Sequence, residues 1–252
     1  MNTDHCANGR TAMRVTPLSS SCATALEQGE HACFGISPFN SYFSVERIGQ
    51  LAAWGLEHFQ RVDFFVPDAP SAFTLEALGY PPDRAAWKAR RQGQYTRNRI
   101  ATALRSLGTA APEDRVLGWA ELEHVPAFGR LHAAVLWNYA EDADFRNTCR
   151  ETASWVLAGR LAQGRRPDDR QVDLAVRYFL AELPLFLDTP SIVGSGTSVF
   201  CYHQSPEVLT RLYDRKLVLH PAAGQGFGVV TPVEPAVTAT AGTPPPSTAT
   251  VP

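Results

Sequence analysis

Long apolar runs are missing from this 252-residue sequence: none approaches the roughly 20 consecutive apolar residues that a membrane-spanning helix needs. The stretch from Met1 to Gly29 is polar and lacks the hydrophobic core of a secretion signal, so the sequence predicts a cytoplasmic protein with no membrane partner. Cysteine is present but unpatterned. Cys6, Cys22, Cys33, Cys149 and Cys201 are odd in number and no two have CxxC spacing, which argues against a zinc site, a redox pair or a disulfide framework. Two of them fall in strand-like apolar runs, where a free thiol behaves as a small buried hydrophobe. Excess charge of one sign is also lacking. A formal net charge of −2 gives no bulk attraction for nucleic acid, and DNA is not expected as a partner.

What is there fits one large α/β domain with a substantial core. Residues 1–28 show little periodicity and read as an N-terminal arm. From His31 the pattern becomes strand–helix–strand. HACFGIS (31–37), VDFFVPD (62–68), RVLGW (115–119), VFCYHQ (199–204) and GFGVVTP (226–232) are short apolar runs closed by turn residues. Between them, residues 44–60, 84–105, 121–160 (with a break around 138–141), 171–186 and 206–215 have helical spacing. Such alternation predicts a single Rossmann-like domain over 29–231: a mostly parallel sheet with helices on both faces. The segment 232–252, rich in Pro, Thr and Ala, cannot bury a face and is expected to be a disordered tail.

Within this neutral average lies a local excess. Seven basic residues fall between positions 84 and 105 with no acid among them: Arg84, Lys88, Arg90, Arg91, Arg97, Arg99 and Arg105. On a helix Arg84, Lys88, Arg91, Arg99 and Arg105 lie within about 120° of one another, with Arg90 and Arg97 flanking. Ala85, Ala86, Gly93, Ile100, Ala103 and Leu104 take the opposite side. A solvated face is the plain account of a charge run. Solvated faces usually mix signs, however, because like charges one turn apart repel. An all-positive stripe on a net-negative chain suggests a polyanion held by its backbone.

Three further places carry chemistry. GISPFNSYFS (35–44) follows the first strand, so Ser37 sits at a C-terminal strand edge, where open α/β sheets build their sites; Ser and Asn there could equally be capping the next helix. The pattern is not GxSxG, since Phe39 stands at the second Gly, and a hydrolase elbow does not fit. Tyr178 and Glu182, four apart, share a helix face, either as a surface hydrogen bond or as a proton-handling pair beside a pocket. In CYHQ (201–204), Tyr202 and His203 point to opposite faces of a strand end.

EHACFGISPFNSYFS, the basic helix, RYFLAELPLFLDTP and SVFCYHQ, in that order and spacing, resemble the cyclodipeptide synthase family from about Glu30 to Val230. Asn40, Tyr202 and His203 match the branch marked by Asn, Tyr and His. The resemblance implies a fold similar to the catalytic domain of class I tyrosyl- and tryptophanyl-tRNA synthetases. Neither HIGH nor KMSKS occurs, as expected of an enzyme whose substrates arrive already activated. It implies two aminoacyl-tRNAs as substrates, no cofactor, no metal and a monomer.

By position, Ser37 is the implied nucleophile, passing through aminoacyl-Ser and dipeptidyl-Ser states. Gly35 lines its pocket and Asn40 braces the loop. Tyr178 and Glu182 hold the substrate α-amino group, with Glu182 moving protons; Tyr202 supports proton transfer, and His203 stands behind it. Cys33, Phe65, Pro67, Trp119, Leu185, Phe186 and Phe200 are expected around the first amino acid, and so much aromatic bulk predicts a small one. Thr152, Trp155, Val156, Gly159, Arg160 and residues 204–206 are expected around the second. Rival readings are a serine acyl hydrolase or acyltransferase and a non-catalytic tRNA-binding module.

Overall fold

The computed structural model describes residues 13–162 and 165–233. In chain order the elements are β1 (Met13–Pro17), α1 (Ser20–Gln28), β2 (His31–Gly35), α2 (Val45–His58), β3 (Arg61–Phe65), α3 (Ser71–Ala77), α4 (Pro82–Ser106), β4 (Val116–Leu117), α5 (Trp119–Leu122), α6 (Pro126–Glu141), α7 (Ala143–Ala158), α8 (Asp169–Val193), β5 (Ser198–Tyr202), α9 (Glu207–Tyr213) and β6 (Gln225–Pro232). The strands form one sheet in the order β1-β6-β5-β2-β3-β4. All neighbours are parallel except the edge pair β1–β6.

Strand alternation divides the core in two. Cys33, Phe65, Phe200 and Phe227 face α6, α7, α8 and α9, whereas Ala32, Phe34, Phe64, Val199 and Cys201 face α2 and α4. With period 2 and both faces covered, each strand reads as an unbroken apolar run, which is the signature of a buried parallel sheet. Phe34 and Phe64 stack at 5.3 Å between neighbouring strands and are almost fully buried. Each contributes about 1.5–3 kcal/mol of burial. The chain winds from β2 outward to β3 and β4, then returns to β5 on the other side of β2. The carboxyl ends of β2 and β5 therefore flank the point where strand order reverses, where such folds open a crevice.

The expectation of a loose arm over residues 1–28 is corrected for residues 13–28. Met13–Pro17 pairs antiparallel with β6, from Met13 opposite Pro232 to Pro17 opposite Gly228. α1 follows, capped by the Ser19 hydroxyl, which accepts from the Cys22 amide, and closed by Gly29 in the left-handed conformation. Its buried face consists of Cys22 and Ala25, side chains too small to register as a hydrophobic stripe. Residues 1–12 and nearly all of the expected tail, 234–252, lie outside the described residues. The break within 121–160 falls at Asp142, whose carboxylate accepts from the Phe145 amide to start α7. α8 runs further than 186, passing Pro184 and bending at Asp188.

Candidate active site

The ladder of β2 continues one residue beyond the strand, through the Ile36 amide to the Phe65 carbonyl, and delivers Ser37 to the crevice. Ser44, not Ser37 or Asn40, caps α2, accepting from the Arg47 amide. The two upstream residues are thus free for other work. Asn40 Oδ1 accepts from the Tyr42 amide at 3.0 Å, leaving its amide nitrogen to donate to His203 Nε2 at 3.1 Å. His203 accepts that bond as a neutral imidazole, with its ring stacked on Tyr42 at 4.1 Å. Burial pushes its pKa down to about 4, in keeping with this role. Asn40 and His203 together pin the loop to the end of β5.

The Ser37 hydroxyl lies 2.9 Å from the Tyr202 hydroxyl and 3.4 Å from that of Tyr178. Glu182 lies one helical turn from Tyr178 along α8, near enough for each to shift the other's ionisation. The hydroxyls of Tyr202, Ser37 and Tyr178 thus form a hydrogen-bonded set with Glu182 beside it, assembled from three separate stretches of the chain. Burial pushes the Glu182 pKa up to about 7, partly offset by the Tyr178 hydroxyl and the Arg160 charge. Burial likewise raises both tyrosines, Tyr178 well above the ordinary phenol range. The phenols stay protonated while the carboxyl titrates near neutrality, a state suited to taking up and returning a proton.

These groups share a cavity of about 110 Å³. Gly35 forms part of its wall because any Cβ there would lie 2.8 Å from the Phe200 ring. Of the residues expected around the first amino acid, Phe186 and Phe200 line this cavity, set edge to face at 4.7 Å. Cys33, Phe65 and Leu185 are packed in the core, and Pro67 is buried. Trp119 is half-buried with its ring against Phe128. Thr152, Val156, Arg160 and Pro206 line the cavity opposite; Trp155 is exposed on the adjoining groove with Ser205, and Gly159 ends α7 outside both linings. Sequence reading missed Thr74, Leu209 and Phe227, which reach the cavity from α3, α9 and β6 with no local signal to mark them.

The basic helix is α4. It begins at Pro82, where a missing N–H costs nothing. Gly93 faces inward against Asp68, a contact that leaves no room for a Cβ. Its unbroken positive stripe needs correction at two positions. Arg97 is held by Glu121 at 2.5 Å and Arg105 by Glu113, acids supplied from other parts of the chain. Arg84 and Lys88 lie over Tyr80, and Arg91 over Trp87 and Tyr95. Arg90 and Arg99 are exposed.

A sequence model of the cyclodipeptide synthase family matches residues 13–232, nearly the whole described chain. The chain belongs to this family. Among curated relatives, the cyclo(L-tyrosyl-L-tyrosyl) synthase of Mycobacterium tuberculosis is 35% identical over 226 residues, 90% of this chain and 78% of the relative. The cyclo(L-leucyl-L-phenylalanyl) synthase of Streptomyces noursei is 31% identical, covering 88% and 93%. The structure of a Mycobacterium tuberculosis protein, which demonstrates that cyclodipeptide synthetases are related to type I tRNA synthetases, superposes with a TM-score of 0.80 at 35% identity, over 90% of this chain and 96% of the other. A Bacillus thermoamylovorans cyclodipeptide synthase gives 0.82 at 27% identity, over 88% and 97%. The fold is thus the Rossmann-like α/β fold of synthetase kinship. Among the described residues no group of ligating side chains could hold a metal, and no helix is long and apolar enough to cross a membrane.

Proposed function

We propose that this cyclodipeptide synthase takes aminoacyl groups from two aminoacyl-tRNAs and builds the cyclic dipeptide on Ser37. The observation that carries the reading is the Ser37 hydroxyl, bonded to two phenols and sharing their cavity with a carboxyl that burial pushes up to about 7. Ser37 Oγ attacks the first ester; its bond to the acyl carbon forms, the bond to the tRNA ribose breaks, and the serine proton passes to the released ribose hydroxyl. Exchanging one ester for another needs no stronger base than this. The amine of the seryl-bound residue then loses a proton to Glu182 and attacks the second ester; the amide bond forms, the bond to the second ribose breaks, and Glu182 returns the proton to that ribose oxygen, leaving a dipeptidyl-Ser and a free tRNA. The new terminal amine finally closes on the seryl ester, the amide forms, and Oγ regains its proton.

The hydrolase reading lacks support, because the nearby imidazole of His203 is committed to Asn40 and no histidine touches Ser37 among the described residues. The clustering of Asn40, Tyr202 and His203 supports membership of the Asn–Tyr–His branch. A cavity of about 110 Å³ walled by Phe186 and Phe200 favours a small first residue. Intact mass of the protein incubated with charged tRNA tests the core of the proposal. An aminoacyl adduct is expected on the wild type and not on Ser37→Ala; an adduct that persists in Ser37→Ala would place the nucleophile elsewhere. Mass spectrometry of the released product reads the first residue, and two bulky residues would refute the small pocket.

A further inference from the structure

Ser37 has a second opening. Besides lining the cavity, it lines a groove of about 290 Å³ between the 39–44 loop and α4. The α4 wall is Gln92, Thr96 and Arg99, which at spacings of four and three share one helix face. Arg99 is exposed and, unlike Arg97 and Arg105, meets no acid among the described residues. On the loop wall stands Phe39, two residues from the nucleophile. Its φ of 63° is a left-handed backbone that an aromatic residue rarely adopts, and the residue is 38% exposed with no aromatic partner among the described residues. A fold that holds a phenylalanine in this conformation and leaves its face open has placed it for something outside the core.

We propose that this groove seats the 3′-terminal adenosine of the aminoacyl-tRNA, with the adenine stacked on Phe39 and the adjoining phosphate met by Arg99. The proposal rests on the reading of Ser37 as acyl acceptor. Transfer occurs at one atom, so the acyl side chain and the terminal ribose lie on either side of Oγ. The small, largely apolar cavity suits the former. The groove, with a free guanidinium and an exposed ring, has the two features that bind unpaired nucleotides: a cation for the backbone and a π-face for the base. Stacking accepts the one base common to all tRNA ends without reading the rest of the molecule, and position beside Oγ delivers the ester to the nucleophile.

A tRNA ending in 2-aminopurine, whose fluorescence is quenched on stacking, tests this directly by titration with protein. Quenching is expected with the wild type, and equally with Phe39→Trp and with Ser37→Ala. Phe39→Ala should lose the quench and bind on the order of tenfold more weakly, the effect of one stacked base. Arg99→Ala should keep the quench at saturation but weaken binding and lower its salt dependence. Quenching undiminished in Phe39→Ala, or absent in a wild type that binds the RNA, overturns the proposal. Quenching by a wild type that never forms an adduct supports the groove and defeats the acyl-acceptor reading instead, so the two failures are separable.

Discussion

The two ends of the same strands hold two serines with opposite surroundings. At the amino-terminal edge, Ser198 of β5 lies 2.7 Å from His31 Nδ1 of β2, and His31 Nε2 lies 3.2 Å from Asp63 of β3. Listed as residue types this is a Ser–His–Asp triad. All three are sealed, with 0–1% of their surface exposed, and Asp63 is also paired with Arg61 at 2.6 Å and faced by Arg115 at 3.6 Å. At the carboxyl edge, Ser37 touches no imidazole and no aspartate among the described residues, yet it faces a cavity and a groove. The difference shows that residue inventory does not make a site. The sealed network ties three strands together through the contacts of His31 with Ser198 and Asp63 and of Arg61 with Asp63, while Asp63 Oδ1 is left without a hydrogen bond among the described residues; the open one holds a carboxyl whose burial is only partly offset and which is thus able to change its charge.

The comparison predicts opposite outcomes when a carboxyl is removed from each end. Glu182→Gln should reduce product formation by about 10²–10⁴-fold, the range for loss of a positioned proton acceptor, while the thermal midpoint holds or rises because an awkward buried charge is gone. Product yield and a melting curve on the same sample read both. Asp63→Ala should do the reverse. Removing one partner of a buried ionic network strands the others and costs about 3–5 kcal/mol, visible as a shift in the urea midpoint at unchanged m-value. Adduct formation per folded molecule should stay as in the wild type. A folded Asp63→Ala protein with impaired acylation would break the division between a structural and a chemical end.

Titration sharpens it further. Asp63 is held below the ordinary carboxyl range: burial opposes its ionisation, but hydrogen bonds and charges from His31 and Arg61 prevail. Its contribution to stability is therefore present above the unfolded-state value near 4 and lost as pH falls below it. Glu182 has the opposite sign. With a folded pKa of about 7, it binds its proton more tightly than in the unfolded chain, so its contribution is full below roughly 4 and lost as pH rises toward 7. The rate of the step after acylation should rise over the same approach to pH 7 as Glu182 ionises. Measured by single turnover from preformed adduct, this limb should be absent in Glu182→Gln; a limb of unchanged midpoint there would assign the titration to another group.

How far the sequence disclosed this depended on distance along the chain. Buried parallel strands such as ACFGI and DFF announce themselves because both faces are apolar, and the 35–44 loop follows from where the first of them stops. Tyr178 and Glu182 are legible as a pair because helical spacing alone brings them together. What makes Glu182 titrate near neutrality is not local: the enclosing walls come from α3, α7 and β6. β1 escaped notice because five residues that complete an edge strand need β6, more than 200 residues later, to define them. The Phe39 backbone angle has no sequence signature, since left-handed φ usually falls to Gly or Asn.

The basic helix repeats the contrast on a smaller scale, with arginines alike in sequence and unlike in context. Arg105 is matched by Glu113, whereas Arg90 is exposed with no acid beside it among the described residues. A phosphate bound by Arg90 releases a counterion; one approaching Arg105 must first compete with a carboxylate already in place. Arg90→Ala should therefore flatten the slope of log affinity against log salt by roughly 0.7–0.9, the share of one phosphate contact, and Arg105→Ala by less. Filter binding of uncharged tRNA over a range of salt concentrations measures both. Equal slopes for the two variants would mean that the Arg105–Glu113 pair opens at no cost when RNA arrives, as weak exposed pairs can, and that the whole stripe acts as one surface after all.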